Sequence, residues 1–111
     1  MGLRYIVYLS SDRIYTCKQC RTHLTNHNDL VSKQFRGQHG AAFLFDAVVN
    51  VAQGSIEQRR MTTGEHRVRD VKCAQCGSYV GWKYEWAEPP SEQYKIGKFI
   101  LEAELIVLVS K

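Results

Sequence analysis

The sequence predicts a mostly β domain, made of short antiparallel hairpins pinned by one metal site. Three observations predict it. The only four cysteines, Cys17, Cys20, Cys73 and Cys76, fall as two CxxC pairs. Runs of β-branched and aromatic residues recur along the chain, punctuated by Gly, Ser, Asp and Pro. The 111 residues suffice for one core and leave no room for a second, so the chain reads as a single domain over 1–111.

The elements follow in order. RYIVYL, Arg4 to Leu9, reads as a strand that ends at the turn cluster Ser10-Ser11-Asp12. Ile14 to Cys17 resumes a strand into the first CxxC. THLTNHNDLVSKQF is polar and then extended, and Gly37 and Gly40 punctuate RGQHG. In AAFLFDAVVNVAQG the alanines suggest a helix, yet Phe43 to Phe45 and Val48 to Val51 fit two short strands with a bend at Asp46 better. Met61-Thr62-Thr63 leads to a turn at Gly64. HRVRDVKC reads as an exposed strand entering the second CxxC, and YVGWKYEW as the strand leaving it. Ala87 to Gln93, with Pro89 and Pro90, reads as a loop. KFILEAELIVLV, Lys98 to Val109, is the longest strand candidate and is expected to bend. Beyond the two CxxC segments there is no internal repeat.

Composition bounds the class. Hydrophobic residues make up 44% and charged residues 23%, which is a globular mixture. No window reaches the ~18 apolar residues of a membrane span. The opening MGLRYIVYLSSDR has too short an apolar run for a secretory signal. Gly2 is not followed by Ser or Thr at position 6, where Ile6 stands, so N-acylation is not expected. An intracellular protein is the expectation. The formal charge of +4 favours an acidic partner, but four thiolates around a divalent ion would offset about half of it.

Two disulfides, a redox pair, or a zinc site could each use these cysteines. The first needs an oxidising compartment, and the second fits two matched copies poorly. Zinc is the preferred reading: four thiolates at about 2.3 Å close a tetrahedral shell and leave no position for water, so the ion is structural. Gly77 follows the second pair, where the turn benefits from a residue that tolerates positive φ. Arg21 follows the first pair, so that turn is expected to differ. With 52 residues between Cys20 and Cys73, the ion would tie distant hairpins together.

IYTCKQCRTHL, SKQFRGQHGAAFLFDAVVNV, CAQCGSYVGWKYEWA and YKIGKFILE, in that order, resemble the yippee-like family, with an opening similar to its fungal branch. The resemblance runs from about Tyr5 to Glu102. It implies a β-tent-like fold of two antiparallel sheets pinned by one structural zinc on Cys17, Cys20, Cys73 and Cys76. It also implies nuclear and cytoplasmic proteins linked to cell division, some of them associated with a multi-subunit ubiquitin-ligase complex. Domains of related fold include the ligand-binding domain of cereblon, Mis18 proteins, B-type methionine sulfoxide reductases and RNA-binding helicase domains, so fold alone does not assign function.

Outside the cysteines, Trp82, Tyr84 and Trp86 alternate in GWKYEW and would share one strand face. Such a face either packs as core or lines a pocket for a flat or cationic group. Trp82 and Tyr84 match cage positions in the cereblon-like relatives, while the TTGEHRVRD segment lacks the remaining cage tryptophans. His66 and His39 complete the candidate pocket wall. The other histidines, like these, are expected to be surface or hydrogen-bonding residues. Arg59, Arg60, Arg67, Arg69 and Lys72 form a basic band interrupted by Glu57, Glu65 and Asp70. The function expected is a non-enzymatic interaction module with protein partners. The alternative is a nucleic-acid-binding module using the basic band. Thiol chemistry is not expected, because the metal engages every thiol.

Overall fold

The computed structural model describes residues 5–110. Nine strands appear among them: β1 (Arg13–Cys17), β2 (His23–Asn26), β3 (Leu30–Gly37), β4 (Gly40–Phe45), β5 (Val51–Met61), β6 (Gly64–Cys73), β7 (Tyr79–Ala87), β8 (Phe99–Glu102) and β9 (Ile106–Ser110). They form two antiparallel sheets, a small one of order β2-β1-β9 and a large one of order β3-β4-β8-β7-β6-β5. The expected two-sheet β architecture is what the chain adopts.

One core lies where the sheets meet. Tyr15, Leu24 and Ile106 from the small sheet cluster with Phe45, Val71, Val80, Phe99 and Leu101 from the large one. The Tyr15 and Phe45 rings meet edge-on at 5.1 Å, the geometry that ring quadrupoles favour. Alternation along the strands sends the intervening residues to the opposite face of the large sheet. There Ala42, Leu44, Val68, Trp82, Tyr84 and Ile100 form a second cluster with Phe35 and Met61. The large sheet is thus apolar on both faces, but the small sheet covers only the first.

Several elements differ from the sequence expectation, each for a physical reason. Residues 5–9 form no strand, and Arg4, like Gly2, lies outside the described residues. Side chains rather than a strand partner hold this segment: Asn50 bonds both backbone groups of Val7, and His23 Nδ1 accepts from Leu9 N–H. The bend at Asp46 is present, but Val48 and Val49 are not in a strand. Asn50 takes φ 61°, a left-handed kink from which β5 starts only at Val51. β5 then runs 11 residues and is the longest strand. Its Gly54, Ser55 and charged residues depress β-propensity, which an edge strand tolerates. The stretch Lys98 to Val109 is not one strand. The turn Ala103–Leu105 breaks it, so β8 joins the large sheet and β9 the small one. β6 is not an exposed strand, since His66, Val68, Val71 and Cys73 are buried. Ala87 to Gln93 is only partly a loop, because Pro90–Lys95 winds into a 3₁₀ helix.

Two glycines mark close approaches. Gly37 faces a buried carboxylate: a Cβ there would lie 2.6 Å from Glu102 Cδ. Glu102 accepts from Tyr79 O–H at 2.6 Å and from the His39 backbone N–H at 2.7 Å, and His39 Nδ1 lies 3.0 Å away. That clasp joins the β3–β4 turn to β7 and β8. Gly81 is tighter still, because a Cβ would sit 1.8 Å from the Ile100 carbonyl oxygen, a backbone atom that cannot swing aside. We therefore expect Gly81→Ala to lower the unfolding free energy by about 3 kcal/mol or more. Urea denaturation of the zinc-loaded protein measures it, and an unchanged midpoint would contradict the β7–β8 packing.

Candidate functional site

The two CxxC segments are turns at corresponding places in the two sheets. Cys17 ends β1 and Cys20 lies in the turn before β2; Cys73 ends β6 and Cys76 lies in the turn before β7. The turns repeat each other bond for bond. Arg21 N–H donates to Cys17 O at 2.7 Å, and Gly77 N–H to Cys73 O at 2.8 Å. Cys17 N–H donates to Thr22 O, and Cys73 N–H to Ser78 O. Arg21 takes φ 65° and Gly77 φ 78°. The expectation that Arg21 would force a different turn is therefore corrected. The backbone hydrogen bonds impose the left-handed residue even where it carries a Cβ, at a cost of about 1 kcal/mol.

These turns bring all four sulfurs within 4.8 Å of one another. Cys17 Sγ lies 3.7 Å from Cys76 Sγ, and Cys20 Sγ 3.5 Å from Cys73 Sγ. A zinc ion with four sulfurs at about 2.3 Å gives sulfur–sulfur edges of about 3.8 Å, so the residues fit one ion. The chemistry of the donor set agrees. Burial pushes the Cys17 thiol up to about 12 and raises Cys73, while the Ser78 hydroxyl brings Cys76 down to about 6. Thiols so disposed do not ionise together without a cation, and a soft divalent ion stabilises all four as thiolates. Each turn also supplies a hydroxyl: Thr22 Oγ1 is 3.0 Å from Cys20 Sγ, and Ser78 Oγ is 3.3 Å from Cys76 Sγ. With the sulfurs as thiolates, these hydroxyls donate to them.

The second feature is a cleft of about 840 Å³ on the uncovered face of the large sheet. Trp82 and Tyr84 form part of its lining, as do Phe35, Met61, Tyr94 and Lys95. The aromatic row does not stay on one face. Val68 pairs with Tyr84 and Arg67 with Trp86, so one residue of β6 step spans two on β7. This bulge at Glu85 turns Trp86 outward, 36% exposed, with Arg67 stacked 5.0 Å from its ring centre. His66 and His39 do not line the cleft. His66 is fully buried beside Tyr84, its Nδ1 2.9 Å from Gly64 O, and His39 belongs to the Glu102 clasp. The feature that sequence reasoning missed is Lys95. It falls between the loop read at Ala87 to Gln93 and the strand read from Lys98, and nothing local shows that its ammonium is buried.

The basic band is largely matched by acids. Arg59 pairs with Glu57 and Asp70, Arg60 with Glu65, and Arg69 with Glu85. Among the described residues, no helix is long and apolar enough to cross a membrane.

Two antiparallel sheets stapled by one tetrathiolate centre define a zinc-binding β domain of the tent type. The family described as "Yippee zinc-binding/DNA-binding/Mis18, centromere assembly" matches residues 13–110. A yippee-like protein of Solanum tuberosum is 51% identical over 102 residues, 92% of this chain and 78% of that protein. Protein yippee-like 3 of Danio rerio is 52% identical over 96 residues, 86% of this chain and 81% of that one. The chain belongs to the yippee family. The crystal structure of a Mis18 "Yippee-like" domain superposes with a TM-score of 0.71 at 15% identity, covering 89% of this chain and 96% of that one, which shows a shared fold.

Metal analysis of the purified protein is expected to give one zinc per chain. Chelation under reducing conditions should abolish the β signal in circular dichroism, and a metal-free protein that stays folded would overturn the structural role. Replacing both hydroxyls, with Thr22→Val and Ser78→Ala, should leave the fold intact and weaken zinc binding about tenfold or more in competition with a chromogenic chelator.

Proposed function

We propose that the chain is a non-enzymatic interaction module, a subunit or adaptor in a regulatory protein assembly. The observation that carries this reading is the division of the molecule into two halves. All four thiols gather in one cluster whose tetrahedral coordination would be closed, which supplies neither a nucleophile nor an open metal position. The opposite side presents aromatic and cationic groups around a wide cleft, with Tyr94 and Trp86 exposed nearby. Large, rigid aromatic surfaces of this kind serve as anchors in protein recognition. On the family resemblance, we place the protein in nucleus and cytoplasm, in an assembly of the ubiquitin-ligase or cell-division type.

A second reading, nucleic-acid binding, draws on the family description and on the Arg67–Trp86 stack, a platform on which a base can lie. The ion pairing of Arg59, Arg60 and Arg69 within the chain weighs against it.

Affinity purification of the tagged chain, read by quantitative mass spectrometry, tests the first reading. A discrete set of partners should co-purify in near-equal amounts. The double variant Trp86→Ala, Tyr94→Ala should lose them roughly thirtyfold, the scale of an interface anchor. Recovery of background proteins alone would refute the module. A salt-sensitive shift of single-stranded DNA or RNA at low ionic strength would favour the second reading instead.

A further inference from the structure

We propose that the cleft over Trp82 and Tyr84 is a peptide site that recognises a carboxylate, taking an extended acidic segment of a protein partner. The proposal rests on the interaction-module reading and names its ligand. The cleft volume, about 840 Å³, falls within the range of ligand pockets. Its floor is β7, one wall is the edge strand β3, the other is the tip of the β5–β6 hairpin, and the 3₁₀ helix Pro90–Lys95 lies at its margin.

A cationic guest is excluded by what already fills the aromatic box. Lys95 is 2% exposed, and its Nζ lies 5.1 Å from the Tyr84 ring centre and 5.3 Å from that of Phe35. Glu92, at 2.5 Å, and Thr63 Oγ1, at 3.3 Å, hold it there. The chain's own ammonium has taken the ring faces that an incoming ammonium would need.

The cleft instead lacks an acceptor. Trp82 is 6% exposed, and its indole N–H is buried without a hydrogen-bond partner. A buried donor left in this state costs free energy that a bound oxygen recovers. The Tyr84 hydroxyl beside it is a donor at neutral pH, since burial pushes it up to about 12; the Trp82 N–H lies close enough to pull the other way but does not complete a hydrogen bond to it. Four cations, Arg36, Arg59, Arg60 and Lys95, line the cleft against the single acid Glu92. Arg59, Arg60 and Lys95 have acidic partners, whereas Arg36, on the exposed rim, has none among the described residues. A buried neutral donor with an uncommitted guanidinium at the rim is suited to a carboxylate. β3 is an edge strand, and its unpaired backbone groups are available to an extended chain that leaves the cleft over this wall.

The test is NMR of the ¹⁵N-labelled, zinc-loaded chain, with its two indole cross-peaks assigned through Trp86→Phe. The probe is the capped hexapeptide Gly-Ser-Glu-Glu-Ser-Gly, with Gln-for-Glu and Lys-for-Glu versions as controls. The acidic peptide should move the Trp82 indole proton downfield and saturably, leaving Trp86 in place. The Gln version should bind about tenfold more weakly, and the Lys version should cause no shift. Arg36→Gln should weaken binding about threefold to fivefold, the scale of one exposed ion pair. Trp82→Phe should weaken it about tenfold without lowering the melting temperature, because it deletes a donor that completes no hydrogen bond among the described residues. Arg36→Gln, a surface change, decides the matter if Trp82→Phe does not fold. A Trp82 cross-peak unmoved at millimolar peptide overturns the proposal, as do equal shifts from the Lys peptide. Glutarate or single-stranded DNA binding as well as the peptide also overturns it. Partners that still co-purify with Trp82→Phe and Arg36→Gln would refute the cleft while leaving the module standing; loss of partners from the wild type refutes both.

Discussion

The tetrathiolate centre is the constraint on which the architecture depends. The small sheet has three strands of only 5, 4 and 5 residues, at the lower limit for independent stability. It buries Tyr15 and Leu24 against the large sheet. Cys17 and Cys20 belong to the small sheet and Cys73 and Cys76 to the large one, so a single ion fixes the distance and angle between them. The loop closed between Cys20 and Cys73 holds β2 to β6, and the conformational freedom of that loop is what the ion removes. Apolar packing then needs to supply the fit of the two faces rather than the decision to bring them together.

The equivalence of the two turns explains how one ion can serve two sheets of unequal size. Each turn ends a strand, reverses through a left-handed residue, returns a backbone N–H to the first cysteine's carbonyl, and places a hydroxyl near the second sulfur. The pattern CxQCx followed by Thr or Ser occurs twice in the sequence, at Cys17 to Thr22 and Cys73 to Ser78. What differs is the residue at the left-handed position. Gly77 adopts it freely, and Arg21 adopts it because the flanking hydrogen bonds leave no alternative.

This repetition also shows which parts of the molecule could be read from the chain. The metal ligands were legible, because CxxC spacing is local geometry. Most strands were legible from β-branched and aromatic runs, including β1, β4 and β7. What could not be read was tertiary in origin. Lys98 to Val109 is continuous in hydrophobicity, and only the meeting of two sheets explains why it must break at Ala103–Leu105 and change sheets. β5 looks unlike a strand because it is an exposed edge, paired on one side by β6. The N-terminal run Tyr5 to Leu9 has strand composition but no strand partner, and propensity does not create one. The alternation of Trp82, Tyr84 and Trp86 misled in the same way, since a period of two holds only while the ladder is unbroken, and the bulge at Glu85 breaks it.

That bulge, with Lys95, determines what the uncovered face can recognise. Without it Trp86 would join Trp82 and Tyr84 in one continuous aromatic floor, open to any flat or cationic guest. With it, the row divides into an outward ring stacked on Arg67 and an inward pair. Lys95 then closes the inward pair to cations by placing an ammonium against the Tyr84 face. The cleft keeps aromatic walls and loses the chemistry such walls usually serve. Its remaining unmet demand is for an acceptor at Trp82. The zinc half of the molecule thus carries the order, and the opposite face of the same sheet is left with a polar requirement that packing within the chain does not meet.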